Sequence, residues 1–195
     1  MSLVTNVKVG MITNLSDARY CAGMGVERLG VNVIAESPNY ISPVQWQDIQ
    51  GWINGPKTVA EVYGIKTPNQ LNDIATQYNP DFLEMNLQEF HAFRNEIKSN
   101  VMLCLQVEDR NETLSEIKTD DRIDSFIVHE NDLTQFSDFI EQFRIFIIPK
   151  NTKSITGLLS DYPTAGFILS GSEESKPGLK NYDELAEVLE QLEEV

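Results

Sequence analysis

The chain has 195 residues, 41% hydrophobic and 23% charged, with a net charge of −15. That length implies one domain, 1–195, able to bury a core without disulfides or metals. A surface so acidic argues against nucleic-acid binding, and no apolar run reaches the length of a membrane span.

Val7 to Ile12 reads as a first strand, and Thr13 and Asn14 offer caps for a helix around Leu15 to Met24. Arg28 to Ile34 is a second strand. Ser42-Pro43, a cap followed by proline, starts a helix carrying Trp46, Ile49 and Trp52, with both tryptophans expected to pack against the barrel and an oligomer patch as the alternative. Lys57 to Tyr63 is the third strand, and Thr67-Pro68 opens a helix running to Tyr78. Phe82 to Asn86 is a strand and Leu87 to Ile97 a helix, with His91 on its surface. Val101 to Val107 is the fifth strand, and a short helix is expected near Thr113 to Lys118. Ser125 to His129 and Arg144 to Ile148 flank a helix over Leu133 to Phe143, with Phe136, Phe139, Ile140 and Phe143 on one face. A weak helix at Ile155 to Leu159, a strand at Ala165 to Leu169 and an amphipathic helix at Tyr182 to Leu192 complete eight strand–helix units. Such alternation implies a parallel sheet, and eight units imply a closed (β/α)8 barrel, an α/β fold of one domain. An open doubly wound sheet is the alternative.

The cysteines, Cys21 and Cys104, have no metal-ligand spacing and read as core thiols. With no basic-then-apolar stretch after Met1, the expected location is the cytoplasm.

The stretch Val7-Lys8-Val9-Gly10-Met11-Ile12-Thr13 resembles the V-K-I-C-G-I-T opening of the phosphoribosylanthranilate isomerases, and Asp17-Ala18 fits the D-A that follows there. Ser37-Pro38-Asn39-Tyr40-Ile41-Ser42-Pro43 is similar to that family's S-P-R-Y-I-S-P. Ser170-Gly171-Ser172-Glu173 and Pro177-Gly178-Leu179-Lys180 are similar to its S-S-G-V-E and P-G-x-K. The resemblance implies a monomeric or homodimeric barrel with its site at the C-terminal ends of the strands. It also implies a cofactor-free Amadori rearrangement of a phosphorylated aminoaldose in tryptophan biosynthesis, which needs an acid, a base and an amide cradle for phosphate.

The chain departs from that pattern where the chemistry lies. Gly10 stands in place of the family's cysteine base, and Met11 in place of the glycine after it. Phe126-Ile127-Val128-His129 occupies the strand that ends in the family's aspartate acid, so His129 takes that place. Asn39 replaces the arginine, and the glycine-rich loops after strands six and seven read Asn131-Asp132-Leu133-Thr134 and Pro149-Lys150-Asn151. The resemblance is therefore to a divergent member without the usual acid and base, in which the isomerase activity is weak or lost.

Strand parity turns Lys8, Gly10, Asn32, Glu61, Glu84, Asn86 and Gln106 inward, an unusually polar barrel interior. One reading makes Glu61, Glu84 and His129 acid/base groups or metal ligands of a repurposed enzyme. The other makes the carboxylates structural partners of Lys8, since unpaired buried charges cost too much. Ser170, Gly171 and Ser172 are the remaining candidates to bind a small phosphorylated or anionic metabolite, with Lys176 and Lys180 nearby; a plain strand-to-helix turn is the alternative. A non-catalytic binding or partner protein is the third reading. No cofactor and no resident metal are expected.

Overall fold

The structure, a computed structural model, describes residues 2–111, 117–171, 174–176, 179–180 and 183–193. Eight parallel strands close into a barrel in sequence order: β1 (Val7–Gly10), β2 (Arg28–Asn32), β3 (Lys57–Glu61), β4 (Phe82–Asn86), β5 (Asn100–Cys104), β6 (Ile123–His129), β7 (Ile145–Ile148) and β8 (Gly166–Ser170). Closure is made by β1 on β8, in the register Val7–Phe167 to Gly10–Ser170. The open-sheet alternative is thereby set aside.

The helices are α1 (Leu15–Gly23), α2 (Pro43–Gln50), α3 (Pro68–Tyr78), α4 (Leu87–Phe93), α5 (Ser137–Ile140), α6 (Ile155–Asp161) and α7 (Asp183–Gln191). Their starts follow the sequence. Asn14 Oδ1 accepts the N–H of Asp17 at 2.9 Å. Ser42 and Gln45 form a capping box ahead of Pro43, and Thr67 caps α3 ahead of Pro68. Each cap satisfies amide donors that the first turn leaves without a helical partner.

Several expected elements differ. The helix expected over Leu133 to Phe143 is a 3-10 stretch, Glu130–Phe136, followed by the single turn α5. Phe126 there stacks edge-on against Phe139 and Phe143, so tertiary packing rather than helix length buries the aromatic face. The helix after β4 stops at Phe93, four residues early. Trp52 lies past Gly51, beyond α2, and is 71% exposed, whereas Trp46 is buried. Gln106 lies beyond β5, exposed, and is not an interior residue. The helix expected near Thr113 to Lys118 falls largely outside the described residues. An antiparallel pair, β9 (Glu174–Lys176) with β10 (Leu179–Lys180), was not anticipated.

Two separate cores result. The larger lies between strands and helices. The smaller fills the barrel and contains Val59, Phe82, Met102, Ile127, Phe146 and Ile168. Arg28 plugs the N-terminal end of the barrel, its guanidinium 4.1 Å from the Phe82 ring centroid and 4.8 Å from that of Phe146. Its NH1 lies 2.8 Å from Asp124 Oδ2, so this buried cation is both stacked and paired.

Candidate functional site

Toward the C-terminal end the barrel interior turns polar. Lys8 reaches from β1 between Glu61, the last residue of β3, and Glu84 of β4. Its Nζ lies 2.7 Å from Glu61 Oε1 and 2.5 Å from Glu84 Oε2. Their exposures are 1%, 8% and 5%, so both ion pairs are desolvated. One ammonium faces two carboxylates, an excess of one negative charge. Burial pushes the Glu84 carboxyl above the usual range; Lys8 opposes this and Glu61 reinforces it. Burial alone would lower the Lys8 pKa, but the two carboxylates outweigh it and raise the value. Lys8 is thus held as an ammonium and has no free amine for nucleophilic chemistry.

Tyr63, just past β3, donates its hydroxyl to Glu84 Oε1 at 3.0 Å. Burial and the Glu84 charge lift its pKa well above 10.0. Burial and Glu84 also push the Cys104 thiol up to about 12, which makes it inert as a nucleophile at neutral pH.

The space for this cluster comes from two glycines. A Cβ on Gly10 would lie 2.6 Å from Glu61 Oε1 and 3.3 Å from Lys8 Nζ. A Cβ on Gly30 would lie 2.2 Å from the same carboxylate oxygen. A side chain at position 10 and the Lys8–Glu61 pair therefore compete for one volume. Met11 has φ +54, a left-handed conformation that favours glycine. The family pattern has its glycine at this place, so the backbone agrees with the register that sets Gly10 against the cysteine.

Of the residues singled out in the sequence, Glu61 and Glu84 are brought together on Lys8. His129, the last residue of β6, is exposed and pairs in register with Ile148. No hydrogen bond or ion pair joins it to either glutamate among the described residues, and among them no three His, Cys, Asp or Glu side chains converge as a metal site. His129 is two residues from Ile127, which lies in the barrel interior, so by parity it stands on the inward face at the barrel rim. Arg28 and Tyr63 were missed. Parity would have found Arg28, which is two residues before Gly30 and so on the same face of β2.

Ser170 is the last residue of β8, Gly171 follows it, and Ser172 lies outside the described residues. The Gly171 N–H is already engaged, donating to Gly10 O at 2.8 Å as part of barrel closure. In the loop after β7, the Glu130 carboxylate accepts the Lys150 N–H at 2.6 Å and the Ser154 hydroxyl at 2.7 Å. An internal carboxylate thus takes donors that an anionic ligand would need. Beside this loop a cavity of about 500 Å³ opens between the ends of β7 and β8 and the helix α7. Its walls are mainly Ile148, Ile168, Leu185 and Val188, with Asn151, Thr152, Ser170 and Glu184 as polar members.

No family model matches the chain, and no curated protein does. Solved structures of phosphoribosylanthranilate isomerases do match it. One, in complex with reduced 1-(o-carboxyphenylamino)-1-deoxyribulose 5-phosphate, has a TM-score of 0.75 at 16% identity over 95% of this chain and 97% of that one. The enzyme from Pyrococcus furiosus has a TM-score of 0.73 at 17% identity, covering 96% and 98% of the two chains. That from Thermotoga maritima, described as mutually generated monomers of a dimeric enzyme, has a TM-score of 0.73 at 17% identity over 96% and 100%. At these identities the shared property is the fold, and the chain has the (β/α)8 barrel of these isomerases. Among the described residues no helix is long and apolar enough to cross a membrane.

Proposed function

We propose that this chain is a phosphoribosylanthranilate isomerase-like barrel that has lost the family's isomerase chemistry and keeps the fold as a small-molecule-binding scaffold of the cytoplasm. The observation that carries this reading is the contact a side chain at position 10 would make. The base of the Amadori step must project from that place, and Glu61, locked on Lys8, fills it. Loss of the base is thus coupled to a replacement structure, which a single compensating residue does not reverse. The engaged Gly171 amide and the occupied loop after β7 support the same reading at the phosphate end.

A second reading keeps catalysis with new groups. Glu84, with its raised pKa and its hydrogen bond from Tyr63, is favoured as an acid/base pair near the barrel mouth. His129 would then act as a separate group on the rim, and Glu61 would hold Lys8.

The test is complementation of a bacterial strain lacking phosphoribosylanthranilate isomerase, grown without tryptophan, with Glu84→Gln and His129→Ala alongside and soluble expression verified. We expect no growth from the native chain. Growth that disappears in either variant would overturn the first reading and establish the second.

A further inference from the structure

The cavity between β7, β8 and α7 lies at the end of the barrel where a phosphate ester would be held, and two of the backbone amides beside it are already engaged. The Lys150 amide is spent on Glu130, and the Gly171 amide on Gly10 O. The helix α7 carries Glu184 in its first turn, where phosphate needs the bare positive end of the helix dipole. Glu184 itself lines the cavity. No lysine or arginine is among the described lining residues, and the chain as a whole carries −15.

Among the described residues the cavity has a largely apolar wall with one carboxylate at its side. Ile148, Ile168, Leu169, Leu185 and Val188 supply the wall, and a volume of about 500 Å³ is within the range of small-ligand sites. Asn151 also lines the cavity, with its Oδ1 accepting the Ser154 N–H at 3.2 Å. Thr152 and Ser170 offer neutral hydroxyls. The apolar wall and the carboxylate together favour a compact hydrophobic body carrying a cationic nitrogen over a phosphate.

We propose that this cavity binds a small apolar amine, of the arylalkylamine class, with the ammonium at Glu184 and the apolar body against Ile148, Ile168 and Val188. This goes beyond the loss of isomerase activity and does not depend on it, since an inactive barrel need not bind amines and an active one would bind phosphate here.

The experiment is a two-dimensional amide NMR titration of the full chain with 2-phenylethylamine, with toluene, and with inorganic phosphate and ribose 5-phosphate. The expected result is saturable shifts at Thr152, Ser170, Gly171 and Val188 with the amine and none with either phosphate. Glu184→Gln, a change at an exposed position, is expected to weaken the amine roughly fivefold, the size of a partly exposed ion pair. Val188→Phe is expected to abolish saturation by filling the cavity. Phosphate shifting these amides would overturn the proposal, as would absence of amine binding. Equal affinity for toluene and the amine, or no change in Glu184→Gln, would overturn the role of the carboxylate.

Discussion

Replacing Lys8 by methionine tests the barrel's central cluster, because it keeps the side-chain length and removes the only cation paired with Glu61 and Glu84 among the described residues. Breaking a buried ion pair by deleting one partner costs about 3–5 kcal/mol, since the other charge is left desolvated. Here two carboxylates are left, at 8% and 5% exposure, so the upper half of that range applies. With a urea slope of about 2 kcal/mol/M for a chain of this size, the midpoint falls by about 2 M. The sign of the pH dependence follows from the pKa directions. The Lys8 pKa is raised, so its contribution is fully present below the free lysine value and is lost only as pH rises through the folded value. Glu84 is raised as well, so the folded state holds its proton more tightly than the unfolded one and loses stability as pH rises through the folded value. Removing Lys8 raises Glu84 further, so the penalty must be larger at pH 8 than at pH 5. Urea unfolding of Lys8→Met at both pH values, followed by the fluorescence of buried Trp46, measures it. Glu84→Gln is the control: it leaves the one-to-one Lys8–Glu61 pair at 2.7 Å and should change stability by no more than about 1 kcal/mol. A Lys8→Met loss below about 1 kcal/mol, or one equal at both pH values, would falsify the account of the cluster.

Gly30→Ala places a methyl 2.2 Å from Glu61 Oε1 and should destabilise by about 1–3 kcal/mol in thermal or urea unfolding, whereas Gly157→Ala, with open space around it, should not destabilise by overpacking. Met11→Gly relieves a left-handed residue, so its unfolding midpoint should stay level or rise; a clear fall would mean that Met11 contributes packing that outweighs its strain. Trp46→Phe removes the indole N–H bonded to Tyr78 O at 3.3 Å and should cost about 1–3 kcal/mol, while Trp52→Phe should stay within about 0.5 kcal/mol.

The rhythm of strands and helices was legible because parallel strands buried on both faces are continuous apolar runs, and because Ser42-Pro43 and Thr67-Pro68 mark helix starts chemically. Phe82–Asn86 and Pro68–Tyr78 match their expected bounds for that reason. Strand parity also predicted that Lys8, Glu61 and Glu84 share the interior. It could not say that all three meet, since that depends on register across β1, β3 and β4 and on the room left by Gly10 and Gly30. The helix expected at Leu133 to Phe143 failed because aromatic periodicity records which face is buried, not which helical pitch carries it. His129 stands at a strand end, on the same face as interior Ile127, but position on a barrel rim does not by itself give a side chain a hydrogen-bonded partner. The hydrogen bonds around the candidate anion site were not legible either. Glu130 reaching Lys150 and Gly171 closing on Gly10 are long-range hydrogen bonds that leave no local pattern.

The central claim is that Gly10, closed over by the Lys8–Glu61 pair, leaves no base for the family's reaction. The most direct measurement incubates purified, cooperatively folded protein with N-(5'-phosphoribosyl)anthranilate and follows product by chromatography. The account predicts no conversion above the uncatalysed background, for the native chain and for Glu84→Gln alike. Conversion by the native chain that is lost in Glu84→Gln or His129→Ala would contradict it, and would place the reaction on groups the family does not use.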